Sequence, residues 1–304
     1  MTANDDPSVE LRFTSDPSEF LALAGRFLAA EPVVNTVVTG MAHRAVKERA
    51  DGIAVPERKW WLSVLDADRE VVGAAMRTAS TAPYPPYLLT MSSDAAVSLA
   101  RKLHERGEDV LGLNGALPAA RTCAVELVRL RGGRVDVAQH TRLHELGELV
   151  PPAMTVPGEL REATDDDVDL ATEWLADFLG DADEQAGRPR RSSADDMPDR
   201  DGMLRRIRSG QLWFWCDDHG EQVHLLGAGP PAFGVARVGP VYTPPSQRGR
   251  GWASNAVAEL SRRLRADGGR VCLFTDQANP TSNKIYAALG YRPVADMVNL
   301  VIVR

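Results

Sequence analysis

The stretch Gly234-Val-Ala-Arg-Val-Gly-Pro-Val-Tyr242-Thr-Pro-Pro-Ser-Gln247-Arg248-Gly249-Arg250-Gly251-Trp252-Ala253 decides how this chain is read. Phe233 to Tyr242 has the apolar character of a strand and is kinked by Pro240 near its end. Two more prolines, Pro244 and Pro245, close it. A Gly/Arg loop follows. Ala253, Val257, Leu260 and Leu264 then share one face of a helix expected from Trp252 to Ala266. A helix start leaves main-chain N–H groups unpaired and carries partial positive charge, so it attracts anions. Gly249 and Gly251 let the backbone turn tightly and approach a ligand closely, and Arg248 and Arg250 add fixed charge. Together these suit a pyrophosphate. The loop is not GxxxxGK[ST], and in a GxGxxG alignment Ser254 stands where the third glycine belongs.

Downstream, Gly268-Gly269 stops the helix as a C-cap does. Arg270 to Thr275 reads as a strand with the buried run Val-Cys-Leu-Phe. Asn279-Pro280 opens another helix, with Asn as cap and Pro at the first position, and that helix ends near Gly290. Val294 to Val303 is apolar enough for one or two closing strands. Upstream, Glu159 to Ala163 reads as a short strand. Thr164 is then an N-cap with Asp165, Asp166 and Asp167 in the first turn, where negative charge suits the helix dipole. Leu170, Trp174 and Phe178 continue an apolar stripe. Gly180 to Asp201, with Arg188-Pro-Arg190-Arg191, reads as a mobile polar loop leading to a short helix over Met203 to Ser209. Gln211 to Cys216 and Gln222 to Leu226 read as strands. The order of elements is that of a mixed α/β domain.

The loop matches the signature Arg-x-x-Gly-x-Gly/Ala at Arg248-Gly249-Arg250-Gly251-Trp252-Ala253. After the next strand comes Asn279-Pro-Thr-Ser282-Asn-Lys-Ile-Tyr286-Ala-Ala-Leu289-Gly290-Tyr291. In motif identity, order and secondary-structure context this resembles the GNAT superfamily of acetyl-CoA-dependent N-acetyltransferases, across roughly Gly234 to Pro293. The resemblance implies acetyl-CoA as cosubstrate, with no metal. It implies that the strand ending at Val241 and Tyr242 pairs its backbone with the pantetheine arm. It also implies that Arg248, Gly249, Arg250, Gly251, Trp252 and Ala253 hold the pyrophosphate, and that Asn279 hydrogen-bonds the arm while capping its helix. Tyr286 is implied as the general acid that protonates the leaving thiolate. Many family members place a Glu base on or near the kinked strand. Here that strand offers Arg237 and no carboxylate, so Asp276, Glu184 and a water relay all stay open.

The clearest seam is Val150-Pro151-Pro152-Ala-Met-Thr-Val156-Pro157-Gly158. It divides the chain into an expected domain over 1–150 and a catalytic one over 157–304. In the first, Lys59 to Asp66, Glu70 to Arg77, Tyr87 to Met91 and Val110 to Leu113 read as strands. Asp94 to Arg106 and Leu117 to Arg131 read as helices, and Val135 to Leu149 as closing strands. The order parallels the second half, so two GNAT-like domains are expected, each a mixed, mostly antiparallel sheet flanked by helices. At the junction equivalent to the Gly/Arg loop stands Tyr87-Leu-Leu-Thr-Met-Ser-Ser-Asp94, without the glycines and arginines. The first domain is therefore expected to be degenerate in coenzyme A binding.

Composition bounds the rest. The chain has 304 residues, net charge −7 and no long basic run, which argues against a general nucleic-acid binder. Cys123, Cys216 and Cys272 are far apart and odd in number, giving neither a disulfide framework nor a zinc site. His140 and His144 read as ordinary polar residues. No stretch approaches the roughly 18 apolar residues of a membrane span, and MTANDDPSVE lacks the apolar core of a signal peptide. The expected compartment is the cytoplasm and the expected partner a small-molecule or peptide amine, with no nucleic acid or membrane. Two other functions are kept in view: a non-catalytic coenzyme A sensor, and a tandem acyltransferase of small-thiol, mycothiol-like metabolism.

Overall fold

The computed structural model describes residues 9–53, 59–79, 84–185, 197–266 and 268–304. Arg188 to Arg191 and Asp267 lie outside the described residues. The chain forms two compact units, Met1–Thr141 with Ala295–Arg304, and Arg142–Val294. The division read from the prolines at 150–157 thus falls earlier, and the last ten residues return to the first unit. A proline-rich seam marks where regular structure stops. It carries no information about which sheet a later strand will join.

The first unit contains β1 (Glu10–Thr14), α1 (Pro17–Ala30), α2 (Thr36–Ala50), β2 (Trp60–Leu65), β3 (Val71–Arg77), β4 (Tyr87–Leu88), α3 (Ser93–Glu105), β5 (Gly112–Ala116) and α4 (Ala119–Arg131). It also holds the larger part of β6 (Arg134–Leu146) and of β12 (Tyr291–Val303). Strand order is β1-β2-β3-β4-β5-β12-β6. Its ladders are antiparallel from β1 to β4 and between β5 and β12, and β4 to β5 is parallel. β2 is buried along its whole length, so its alternating side chains serve two cores. Trp60, Leu62 and Val64 pack with Leu99, Leu103 and Leu127 of α3 and α4. Trp61 packs with Phe20 and Leu28 of α1, its ring 5.2 Å from that of Phe20. β1, α1 and α2 were not read from the sequence.

The second unit contains β7 (Glu159–Glu162), α5 (Val168–Gln185), α6 (Arg200–Arg208), β8 (Leu212–Cys216), β9 (Gln222–Ala228), β10 (Val235–Tyr242), α7 (Trp252–Ala266), β11 (Arg270–Asp276) and α8 (Pro280–Ala288). Its strand order is β6-β11-β10-β9-β8-β7. β7 to β10 are antiparallel, and β10 to β11 is parallel with α7 as the crossover. β8 divides two cores by alternation. Trp213 and Trp215 face Val257 and Leu260 of α7, whereas Leu212, Phe214 and Cys216 face Trp174 of α5 and Ile207 of α6. The polar loop expected from Gly180 is corrected in part: α5 continues to Gln185, because Trp174 and Leu175 anchor it and nothing in Gly180-Asp-Ala-Asp-Glu-Gln185 breaks a helix at once.

The acidic triplet starts this helix through a capping box. The Thr164 amide donates to Asp167 at 2.7 Å, and the triplet forms a 3-10 turn before α5. Buried Asp167 also accepts two hydrogen bonds from Arg161, at 2.7 and 2.8 Å. The Arg161 fork, ahead of the Thr164 donors, holds the Asp167 carboxyl down at about 2. Its unfolded value is roughly 3.9. The folded value is depressed, so the stabilisation is complete above the unfolded value and fades as pH falls toward 2. Asp167→Asn should lower unfolding free energy by about 2 kcal/mol at neutral pH, with the gap closing on acidification. Urea denaturation at pH 7 and pH 3 measures both.

Candidate functional site

The site is built where β10 leaves β11. Their parallel ladder runs from Val235–Arg270 to Val238–Leu273 and ends there, although β11 continues to Asp276. Beyond Val238, β10 keeps its partner on the other side: Val241 pairs with Leu226 and Tyr242 with Leu225 of β9, across an irregularity after Val238. Gly239-Pro240 occupies that irregularity. Proline has no N–H to give a ladder, so the parallel pairing cannot run through it. The kink needs space, and Gly227 on β9 provides it. A Cβ there would stand 2.9 Å from the Gln211 carbonyl oxygen, 3.0 Å from Pro240 and 3.1 Å from the Gly239 carbonyl oxygen. The ends of β10 and β11 therefore part with main-chain groups on their facing edges unpaired by the sheet.

Val241 and Tyr242 lie on the parted end of β10 and face opposite sides. Val241 packs toward the core under α7, and Tyr242 is buried toward α5 with its ring 6.1 Å from Trp174. The Tyr242 hydroxyl donates to Asp177 of α5. Burial first, then the nearby charges of Asp177 and Asp181, push its phenol up to about 12. Thr243 follows. Its hydroxyl is 2.7 Å from Nδ1 of the fully buried His224 on β9, and its carbonyl accepts from Arg248 Nε at 3.0 Å. Burial alone drops the His224 imidazole to about 3, so it is neutral over the physiological range.

The loop after β10 is a 3-10 turn over Pro245–Gln247, and then Gly249 and Gly251 adopt φ of 77° and 87°. A side chain at Gly251 would also meet Met154 and Val156. Arg248 pairs with Asp181 of α5, and Arg250 Nη2 reaches the Ser246 carbonyl at 3.4 Å. Trp252 and Ala253 open α7, whose first turn carries no acidic residue. The Trp252 indole N–H and the Thr275 hydroxyl of β11 are both buried and find no hydrogen-bond partner among the described residues. Thr275 lies beyond the last β10–β11 pair. Buried polar groups without protein partners mark places where a ligand can complete the set.

Asn279 caps α8, accepting from the Ser282 amide at 3.1 Å. Tyr286 is the buried residue of α8, its ring 5.9 Å from Tyr291, whose hydroxyl is 2.7 Å from Ser261 Oγ on α7. Burial raises the Tyr286 phenol well above its ordinary range, so it stays protonated. Of the base candidates, Asp276 ends β11 and accepts from the Ala278 amide at 2.9 Å, and Glu184 is exposed on α5. Asp177, Asp181, His224 and Gly227 were missed from the sequence. The spacing of Asp177 and Asp181 from Trp174, three and seven residues on, was a readable signal that they share its helix face.

In the first unit the corresponding helix start, that of α3, is capped by a side chain. The Ser92 hydroxyl accepts from the Ala95 amide at 3.2 Å, and Asp94 adds negative charge in the first turn. His140 is exposed and His144 buried on β6, and no group of three His, Cys, Asp or Glu among the described residues is arranged to hold a metal. No helix among the described residues is long and apolar enough to cross a membrane.

Residues 232–299 match the family model described as FR47-like protein. A GCN5-related N-acetyltransferase from Sphaerobacter thermophilus superposes with a TM-score of 0.59 at 17% identity, covering 96% of this chain and 94% of that one. A tandem GNAT protein from the clavulanic acid biosynthesis pathway gives 0.57 at 16%, covering 97% and 98%. The chain has the tandem GNAT fold. A GNAT-family acetyltransferase from Colwellia psychrerythraea also matches along nearly the whole chain, with 0.57 at 12% identity over 97% and 100%. No curated protein matches. A two-unit mixed α/β architecture, as read from the sequence, is thus the architecture observed.

The clearance at Gly227 is testable. Gly227→Ala should push on Pro240 and two carbonyl oxygens and cost about 1–3 kcal/mol in urea denaturation.

Proposed function

We propose that the second unit is an acetyl-CoA-dependent N-acetyltransferase, passing an acetyl group to a primary amine by direct attack with both substrates bound. The observation that carries this reading is the parting of β10 from β11 after Val238–Leu273, with a glycine-bent, arginine-bearing loop and a helix start at the end of the opening. The residues fit the cosubstrate. An unpaired strand edge suits the amides of a pantetheine arm. The N–H groups at the start of α7 suit a pyrophosphate. The orphaned Trp252 and Thr275 groups offer further polar partners.

In this reading Val241 and Tyr242 hold the arm by their main chain, Arg248 to Ala253 hold the pyrophosphate, and Asn279 binds the arm while capping α8. Acetyl-CoA supplies an activated thioester. The protein contributes proximity and fixed main-chain donors. The Tyr286 phenol is protonated at neutral pH and in this reading gives its proton to the leaving thiolate. The acceptor amine, a small molecule or a peptide, is a matter of loop and helix side chains beside the opening. In this reading the first unit does not bind coenzyme A, since Ser92 caps α3 and Asp94 puts negative charge at its start.

A binding-only sensor is the second reading, favoured by the absence of a carboxylate on β10 itself. Thioester consumption separates the two. With acetyl-CoA and a panel of polyamines, amino acids, cysteinyl sugars and peptides, we expect free thiol to be released with at least one amine. Binding without thiol release across the panel selects the sensor.

Calorimetry should give one coenzyme A per chain. Two sites would show that the first unit binds as well, and none at millimolar concentration would remove the reading. Tyr286→Phe should lower turnover by about 10- to 100-fold while coenzyme A affinity changes little. Unchanged turnover would take Tyr286 out of the chemistry.

A further inference from the structure

The Arg248 guanidinium is held on two sides. Its Nε–H donates to the Thr243 carbonyl at 3.0 Å, and Nη2 pairs with Asp181. Both anchors are themselves fixed. Thr243 is tied through its hydroxyl to fully buried His224. Asp181 is largely buried, with 14% of its side chain exposed, on the helix whose Trp174 packs on Phe214 and Tyr242. One turn earlier on that helix, Asp177 takes the Tyr242 hydroxyl. α5 therefore grips both the end of β10 and the loop after it. Arginine carries five N–H donors in a rigid planar fork. With Nε and Nη2 engaged, Nη1 is the arm that meets no protein acceptor among the described residues.

We propose that Asp181 is a positioning residue for Arg248, holding the guanidinium so that its Nη1 side is presented to the cosubstrate's diphosphate. This rests on the acetyl-CoA reading of the site. An arginine already ordered loses less freedom when an anion arrives, and geometric fit to phosphate is what a fixed fork provides. Asp181 also has an opposing effect, because its negative charge lowers the local positive potential. The two effects separate by substitution. Asp181→Asn keeps an oxygen acceptor on the same side chain and removes the charge. Asp181→Ala removes both.

Titration of coenzyme A into the full chain by calorimetry tests the assignment. Positioning predicts that Asp181→Ala weakens binding about 3- to 10-fold, and that Asp181→Asn binds as well as the wild type or more tightly. In an Arg248→Gln background, Asp181→Ala should cause no further loss. Three results would overturn the proposal: Asp181→Ala binding as tightly as wild type or better, which would make Asp181 a competitor for Arg248; Asp181→Asn binding as weakly as Asp181→Ala; or an alanine effect that persists without Arg248, which would trace it to α5 alone. Failure of the wild type to bind coenzyme A would instead remove the acetyl-CoA reading, and this assignment with it.

Discussion

The second unit depends on a conflict of pairing in one strand. β10 lies between β9 and β11 and cannot satisfy both along its full length, because Pro240 has no N–H and the ladder to β9 resumes only at Val241. Antiparallel pairing with β9 is kept and parallel pairing with β11 is given up after Val238. Unpaired main-chain groups inside a protein are costly. Here they leave the parted edge on which the proposed function rests, and the fold around them keeps the strands apart. Gly227 leaves room for the kink, and Tyr242 and Thr243 are tied to Asp177 and His224 on either side of it.

The two faces of the second unit's sheet carry different groups. The α7–α8 face supplies a helix start, a cap at Asn279 and a buried protonated phenol at Tyr286, joined through Tyr291 to Ser261. The α5–α6 face supplies carboxylates: Asp177 at the strand end and Asp181 on the loop arginine. The loop that looks from its sequence like a free anion trap is thus already engaged by its own protein. Arg248 is oriented by Thr243 and Asp181 and partly neutralised by the latter.

What was legible in the sequence follows from which interactions are local. α7 was legible from Trp252 to Ala266 because an apolar stripe, a glycine loop before it and Gly268-Gly269 after it all lie within a few residues. Asn279-Pro280 was legible for the same reason. Gly227 was not, since its meaning is a clearance against Pro240 thirteen positions away on a neighbouring strand. Asp181 was lost for a different reason: Gly180 was taken as the end of a helix that tertiary packing of Trp174 and Leu175 carries on to Gln185. The destination of β12 was invisible, because an apolar strand fits either sheet and the choice of Val298 and Leu300 for the first core is made by packing.

The two units make the same point about function by contrast. Both have a parallel strand pair with a helix after the first strand: β4–α3–β5 and β10–α7–β11. The fold alone would give each an anion site at its helix start. At α3 the Ser92 hydroxyl accepts from the Ala95 amide and Asp94 adds negative charge in the first turn, so the pull on an anion is weaker there. At α7 the first turn has no acid, and the preceding backbone is bent by two glycines at positive φ. The difference between the two helix starts rests on a handful of positions. The proposed binding accordingly rests on residues at one junction, and the repeated architecture by itself points to neither.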